Sequence, residues 1–162
     1  MKNQIINTAS HLLIERGFNA FSFKTISEEV GIKTSSIHYH FPTKTDLGKA
    51  VIQLHRRELE EMIAKTEGKT PLEKLNKLFR YYKRLVTEGK VCIVGALTSD
   101  INTLEEPIRL ELLSFGERII GWVASVLKEG ESDKTFKKNR PAKTESPADP
   151  GCLCGLGSNG TY

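Results

Sequence analysis

Thr34, Ser35, Ser36 and His38 crowd into one short stretch and offer hydroxyl and imidazole groups that both donate and accept hydrogen bonds. Side chains of this kind suit the edges of bases, while Lys24, Lys33, Tyr39, His40 and Lys44 around them suit backbone phosphates. The chemistry implied is recognition of a duplex polyanion rather than bond making. Ser, His and Asp occur, but their presence alone defines no nucleophile, base and orienting partner. The sequence contains neither HExxH nor a phosphate-cradling Gly-rich loop, so no enzyme, metal site or cofactor is expected. The plain alternatives stay open: Tyr39 and His40 as core-edge residues against the following helix, and the lysines as solvated charges.

Two short helices must position these groups. Phe23, Ile26, Ser27 and Val30 outline the first, with Ser22 placed to cap it, and Gly31 interrupts it. The second holds Ile37, His38, Tyr39 and His40 and stops at Phe41-Pro42, because proline disfavours helical geometry in the residue before it. A steep crossing needs small residues at the contact, a role read for Ser27 and Gly31, with Ile26, Val30, Ile32 and Ile37 as shared core. Upstream, Ile5, Ile6, Ala9, Leu12 and Leu13 give an amphipathic helix over 3–16, whose apolar face Phe18 and Phe21 close.

Downstream, Thr43 to Asp46 forms a candidate capping box for a long helix carrying Leu47, Val51, Leu54, Leu59, Met62 and Ile63. After the break at Gly68 to Pro71, Leu72 to Val86 reads as a further helix. Val91 to Leu97 fits a strand or a short buried helix equally, and Pro107 suits the first turn of a last helix running to Gly130. Residues 131–162, rich in Pro and Gly, read as an irregular tail.

The chain of 162 residues is 38% hydrophobic and 27% charged, the balance of a globular protein. Its net charge of +4 is uneven: residues 1–57 carry +4, residues 58–130 carry −1 and the tail +1. The excess lies where a polyanion would dock. No apolar run is long enough to suggest a bilayer span, and the first residues lead into an amphipathic segment rather than a secretory leader, so a cytoplasmic location is expected and no membrane partner. Three cysteines, two of them as Cys152-Leu153-Cys154, have neither disulfide-framework nor zinc spacing.

At this point the sequence resembles the TetR family of bacterial regulators. The resemblance spans Ile5 to Leu54: Glu15-Arg16-Gly17-Phe18, the turn Ile26 to Ile32, and above all Ser36-Ile37-His38-Tyr39-His40-Phe41-Pro42-Thr43-Lys44-Thr45-Asp46-Leu47. It implies an all-α protein with a three-helix DNA-binding domain over 1–46 and a helical effector-binding and regulatory domain over 47–130. Thr34, Ser35, Ser36 and His38 then match base-facing positions, and Tyr39, His40 and Lys44 match positions used on phosphates. It implies a homodimer on a palindromic operator, with a small-molecule effector. Three residues depart from the family pattern: His38 where Tyr is usual, Ser27 where Ala is usual, and Lys33 where Ser or Thr caps the helix, a cap that Thr34 would have to replace. The tail over 131–162 also departs, and is expected to be an altered form of the last two helices, which usually make the dimer interface.

For effector binding the candidates are Tyr81, Tyr82, Cys92, Phe115 and Trp122, each of which also reads as ordinary core. Cys92 is either a thiol sensor of oxidants and electrophiles or inert packing. The competing function is a helical protein-interaction adaptor without DNA specificity, and preference for a duplex sequence separates the two.

Overall fold

The computed structural model describes residues 1–137. Seven helices make up the architecture of that region: α1 (Lys2–Arg16), α2 (Phe23–Val30), α3 (Thr34–His40), α4 (Lys44–Ala64), α5 (Pro71–Thr87), α6 (Ile93–Thr98) and α7 (Glu106–Ser132). The all-α expectation holds, and the open choice for Val91 to Leu97 resolves as helix. There Cys92 Sγ accepts from the Gly95 amide at 3.4 Å and Ala96 N donates to Cys92 O at 2.9 Å, closing the first turn.

Local signals set most boundaries. Ser22 Oγ accepts from Thr25 N at 3.2 Å to start α2. Thr43 and Asp46 form a complete capping box for α4, and Thr70 with Glu73 forms another for α5, the latter not anticipated beyond the break at Pro71. Each such cap stabilises by about 1 kcal/mol. α3 has none: Lys33 is its N-cap without a side-chain bond, and Thr34 lies inside the first turn instead of capping it. Seven residues without a cap would not hold a helix alone. Ile37, fully buried, anchors α3, and burial of such a side chain is worth about 1.5–3 kcal/mol, more than a missing cap costs.

Gly31 serves the turn differently from the sequence expectation. A methyl group there would meet nothing within 4 Å, so smallness at the crossing is not its role. Its φ of 74° places it in the left-handed region, which lets its N–H return to Ser27 O at 2.9 Å and reverse the chain between α2 and α3.

One apolar core runs from Ile5, Leu12 and Leu13 of α1 through Leu47, Val51 and Ile52 of α4 to Ile108 and Phe115 of α7. α1 packs on α2, α4 and α6, and α7 packs on α4, α5 and α6. A smaller cluster joins Leu75 and Leu78 of α5 to Trp122 and Val126 of α7. The first residues of the stretch expected to be irregular are ordered: α7 continues to Ser132, and Phe136 folds back, its N–H donating to Gly130 O at 2.8 Å and its ring packing on the smaller cluster. The remainder of the expected tail, with Cys152 and Cys154, lies outside the described residues. On α7, Leu110, Leu113, Ile120 and Leu127 are exposed and, at intervals of three, seven and seven residues, share one side of the helix.

Candidate nucleic-acid interface and ligand cavity

α3 presents a mixed surface. Ile37 faces inward, Ser35, His38 and Tyr39 are exposed, and Thr34, Ser36 and His40 are half-buried. Tyr39 is 84% exposed, which removes the core-edge reading for it. Its ring instead meets His40 edge-on, with centroids 5.2 Å apart, and His40 leans in turn toward Phe41. Lys33 and Lys24 are exposed, the latter within 3.9 Å of Glu28 one turn on.

His38 is exposed yet oriented. Its ring packs edge-on against Phe23 of α2 at 4.7 Å, and Nδ1 lies 3.4 Å from Pro42 O. A carbonyl only accepts, so Nδ1 is the donor in that contact.

Lys44 differs from the other cations. Its ammonium lies 4.8 Å from the Phe18 ring centroid and 4.6 Å from that of Phe21, and burial pushes its pKa down while Asp100 opposes the shift. It is thus a half-buried cation at the base of the candidate interface, beside the loop joining α1 to α2.

That loop is held from the far side of the molecule. Asp100, just after α6, accepts from Phe18 N at 2.6 Å, and Thr103 Oγ1 accepts from Asn19 Nδ2 at 2.7 Å. Close by, Gly48 brings α4 between Phe18 and Ile108: an added methyl would stand 2.9 Å from the Phe18 ring and 3.0 Å from the Ile108 side chain. Sequence reasoning missed Asp100 and Gly48, since contacts across 82 positions for the first, and 30 and 60 for the second, leave no local pattern.

A cleft open to solvent lies between α4, α5, α6 and α7. Tyr81, Tyr82, Cys92 and Phe115 line it, together with His55, Glu58, Leu59 and Met62 of α4. Trp122 does not; it packs in the smaller cluster against Leu75, Leu78 and Val126. Cys92 is half-buried, with its sulfur engaged as the cap of α6. Burial pushes the Tyr81 hydroxyl up to about 12, with the Glu58 carboxylate a secondary cause, and raises Tyr82 as well.

His55 connects this cleft to α1. Its Nε2 lies 2.8 Å from Ser10 Oγ, while the buried Nδ1 stands 3.2 Å from Glu58 Oε2 at ion-pair distance but without a formed hydrogen bond. Burial lowers its pKa, and Glu58 opposes the change. A signal for both residues existed in the sequence: Ser10 interrupts the apolar stripe Ile6, Leu13, and His55 interrupts Val51, Leu59.

A helix-turn-helix with an exposed hydrogen-bonding helix, packed on a helical body that contains a cleft, defines a one-component DNA-binding regulator. Residues 5–51 match the family described as bacterial regulatory proteins, tetR family. The chain is 33% identical to a TetR-family transcriptional regulator from Agrobacterium tumefaciens, covering 82% of this chain and 72% of that one with a TM-score of 0.77. A TetR transcriptional regulator from Legionella pneumophila is 34% identical, with 85% and 74% covered and a TM-score of 0.76. The HTH-type transcriptional repressor DhaR of Mycobacterium sp. (strain GP1) is 19% identical over 141 residues, 86% of this chain and 71% of its own length. The chain belongs to the TetR family of bacterial regulatory proteins, and it is a DNA-binding transcriptional regulator. Among the described residues no helix is long and apolar enough to cross a membrane.

Proposed function

We propose that the protein is a cytoplasmic repressor that binds a palindromic operator as a homodimer and leaves it when a small molecule enters the cleft. The observation that carries this reading is the shared core and hydrogen bonding between the α3-bearing head and the cleft: Asp100 holds the α1–α2 loop, and His55 joins the cleft to Ser10. The head is assigned to residues 1–46 and the effector-responsive body to 47–130. Thr34, Ser35, Ser36 and His38 read bases; Lys24, Lys33, Tyr39, His40 and Lys44 take phosphates. Tyr81, Tyr82, Cys92 and Phe115 contact the effector, and Trp122 supports the wall from behind. The regulatory step is two coupled binding events in which the ligand favours a body whose α4 no longer spaces two heads for their half-sites. The exposed row Leu110, Leu113, Ile120 and Leu127 offers apolar surface for pairing.

Selection of bound duplexes from a random pool, combined with the mass of the protein alone and on DNA, tests the reading. A palindromic site bound by two copies, with affinity that falls steeply with salt, is expected. Bound duplexes with no shared sequence would overturn it in favour of a helical adaptor.

A further inference from the structure

We propose that the cleft selects small hydrophobic cations, an aromatic or aliphatic body ending in an ammonium group, over neutral and anionic molecules of the same shape. The inference rests on the effector reading above and narrows it to a chemical class.

Leu59, Met62, Leu78, Ile93, Phe115 and Ile119 make the wall of the cleft apolar, which sets the body of the ligand. No Lys or Arg is among the lining residues, and Glu58 brings the one lining carboxylate. Its side chain is 54% exposed, which sets it at the mouth, where part of its field is screened by water. His55 does not cancel that charge, because burial favours its neutral form. Arg84 lies close enough to influence Tyr81 but is outside the lining set and within 3.8 Å of Glu88.

Two tyrosines reinforce the sign. Tyr81 and Tyr82 meet edge-on at 5.4 Å, and their hydroxyls stay protonated, so they add polarisable ring faces and no competing negative charge. A cation between an aromatic pair and a carboxylate is attracted by both. An anion in the same place would meet the Glu58 carboxylate, with no cation to offset its loss of water. His55 Nδ1, buried and without a hydrogen bond, faces the same carboxylate. An ammonium group drawing Glu58 toward itself would therefore alter the group on the far side of which Ser10 of α1 is held.

Three probes with one skeleton test the proposal: phenethylammonium, 2-phenylethanol and 3-phenylpropionate, titrated calorimetrically into the full chain near neutral pH. Phenethylammonium is expected to bind about tenfold more tightly than the alcohol, with the carboxylate weakest. Glu58→Gln, isosteric and at an exposed position, is expected to remove most of that preference while leaving the alcohol unchanged; Glu61→Gln, outside the lining, is expected to keep it. Equal binding of all three, tighter binding of the carboxylate, or a preference that survives Glu58→Gln overturns the cationic class. If binding without charge preference is lost in Tyr81→Ala, the effector reading survives that failure. Binding of none of the three overturns the proposal, and the duplex selection then judges the DNA-binding reading separately.

Discussion

Ser10 Oγ on α1 and His55 Nε2 on α4 stand 2.8 Å apart, so one buried hydroxyl of the DNA-binding head is held by a side chain that also forms the wall of the cleft. Helix packing alone could shift gradually, whereas a directional bond between a buried hydroxyl and a half-buried imidazole is made or broken. Ser10→Ala is expected to leave operator affinity close to that of the parent and to reduce the effect of a cleft ligand on that affinity by about 0.5–2 kcal/mol. Titrating DNA binding with and without saturating ligand measures the difference. An unchanged ligand effect would remove Ser10 from the coupling.

His55 also sets a pH dependence. Burial holds its folded-state pKa below the ordinary 6.5, so the unfolded chain takes up a proton first as pH falls. The stability associated with neutral His55 is therefore complete above pH 6.5 and is lost as pH drops from there toward the folded-state pKa. Urea unfolding at several pH values on either side of that point should trace the loss. His55→Gln should flatten this part of the profile.

Gly48 separates two effects of opposite sign. An exposed helical Gly→Ala change stabilises by up to about 1 kcal/mol. Here the new methyl would stand 2.9 Å from the Phe18 ring and 3.0 Å from Ile108, so overpacking wins. Gly48→Ala is expected to destabilise by about 1–3 kcal/mol in chemical denaturation. Greater stability in the variant would mean that Phe18 moves freely, contrary to a tightly packed joint between head and body.

On the face proposed to meet DNA, His38 and Lys33 should fail differently. His38→Ala is expected to cost about 1–3 kcal/mol of discrimination at one base-pair position and little against nonspecific duplex. Lys33→Ala should weaken all duplexes alike and reduce the salt slope by about 1. Competition binding with singly substituted operators at several salt concentrations distinguishes them.

The sequence made the helices legible where local chemistry dictates them. Ser22, the Thr43–Asp46 box and Pro42 each act within one turn, and each boundary stands where those residues put it. Gly31 was legible as a break but not for its cause, since steric smallness and a positive φ look the same in a sequence. The cleft was partly legible: aromatic residues on facing helices suggested it, yet Trp122 has the same composition signal and packs elsewhere. Asp100 was beyond reach, because its partners at Phe18 and Asn19 are set by how α6 docks on α1, a tertiary fact with no periodicity to announce it.

The length of α4 gives the joint at its base a mechanical consequence. Lys44 and Met62 are 18 residues apart, a rise of about 27 Å along one continuous helix that begins at the DNA face and ends in the cleft wall. A tilt of about 5° pivoting at the cleft carries the other end through about 2.4 Å. In a symmetric pair the two arms add, moving heads that must match half-sites about 34 Å apart by nearly 5 Å. That displacement exceeds the few tenths of an ångström over which a hydrogen bond keeps its geometry. A ligand too small to reorganise the core would thus have leverage enough to misalign every base contact at once.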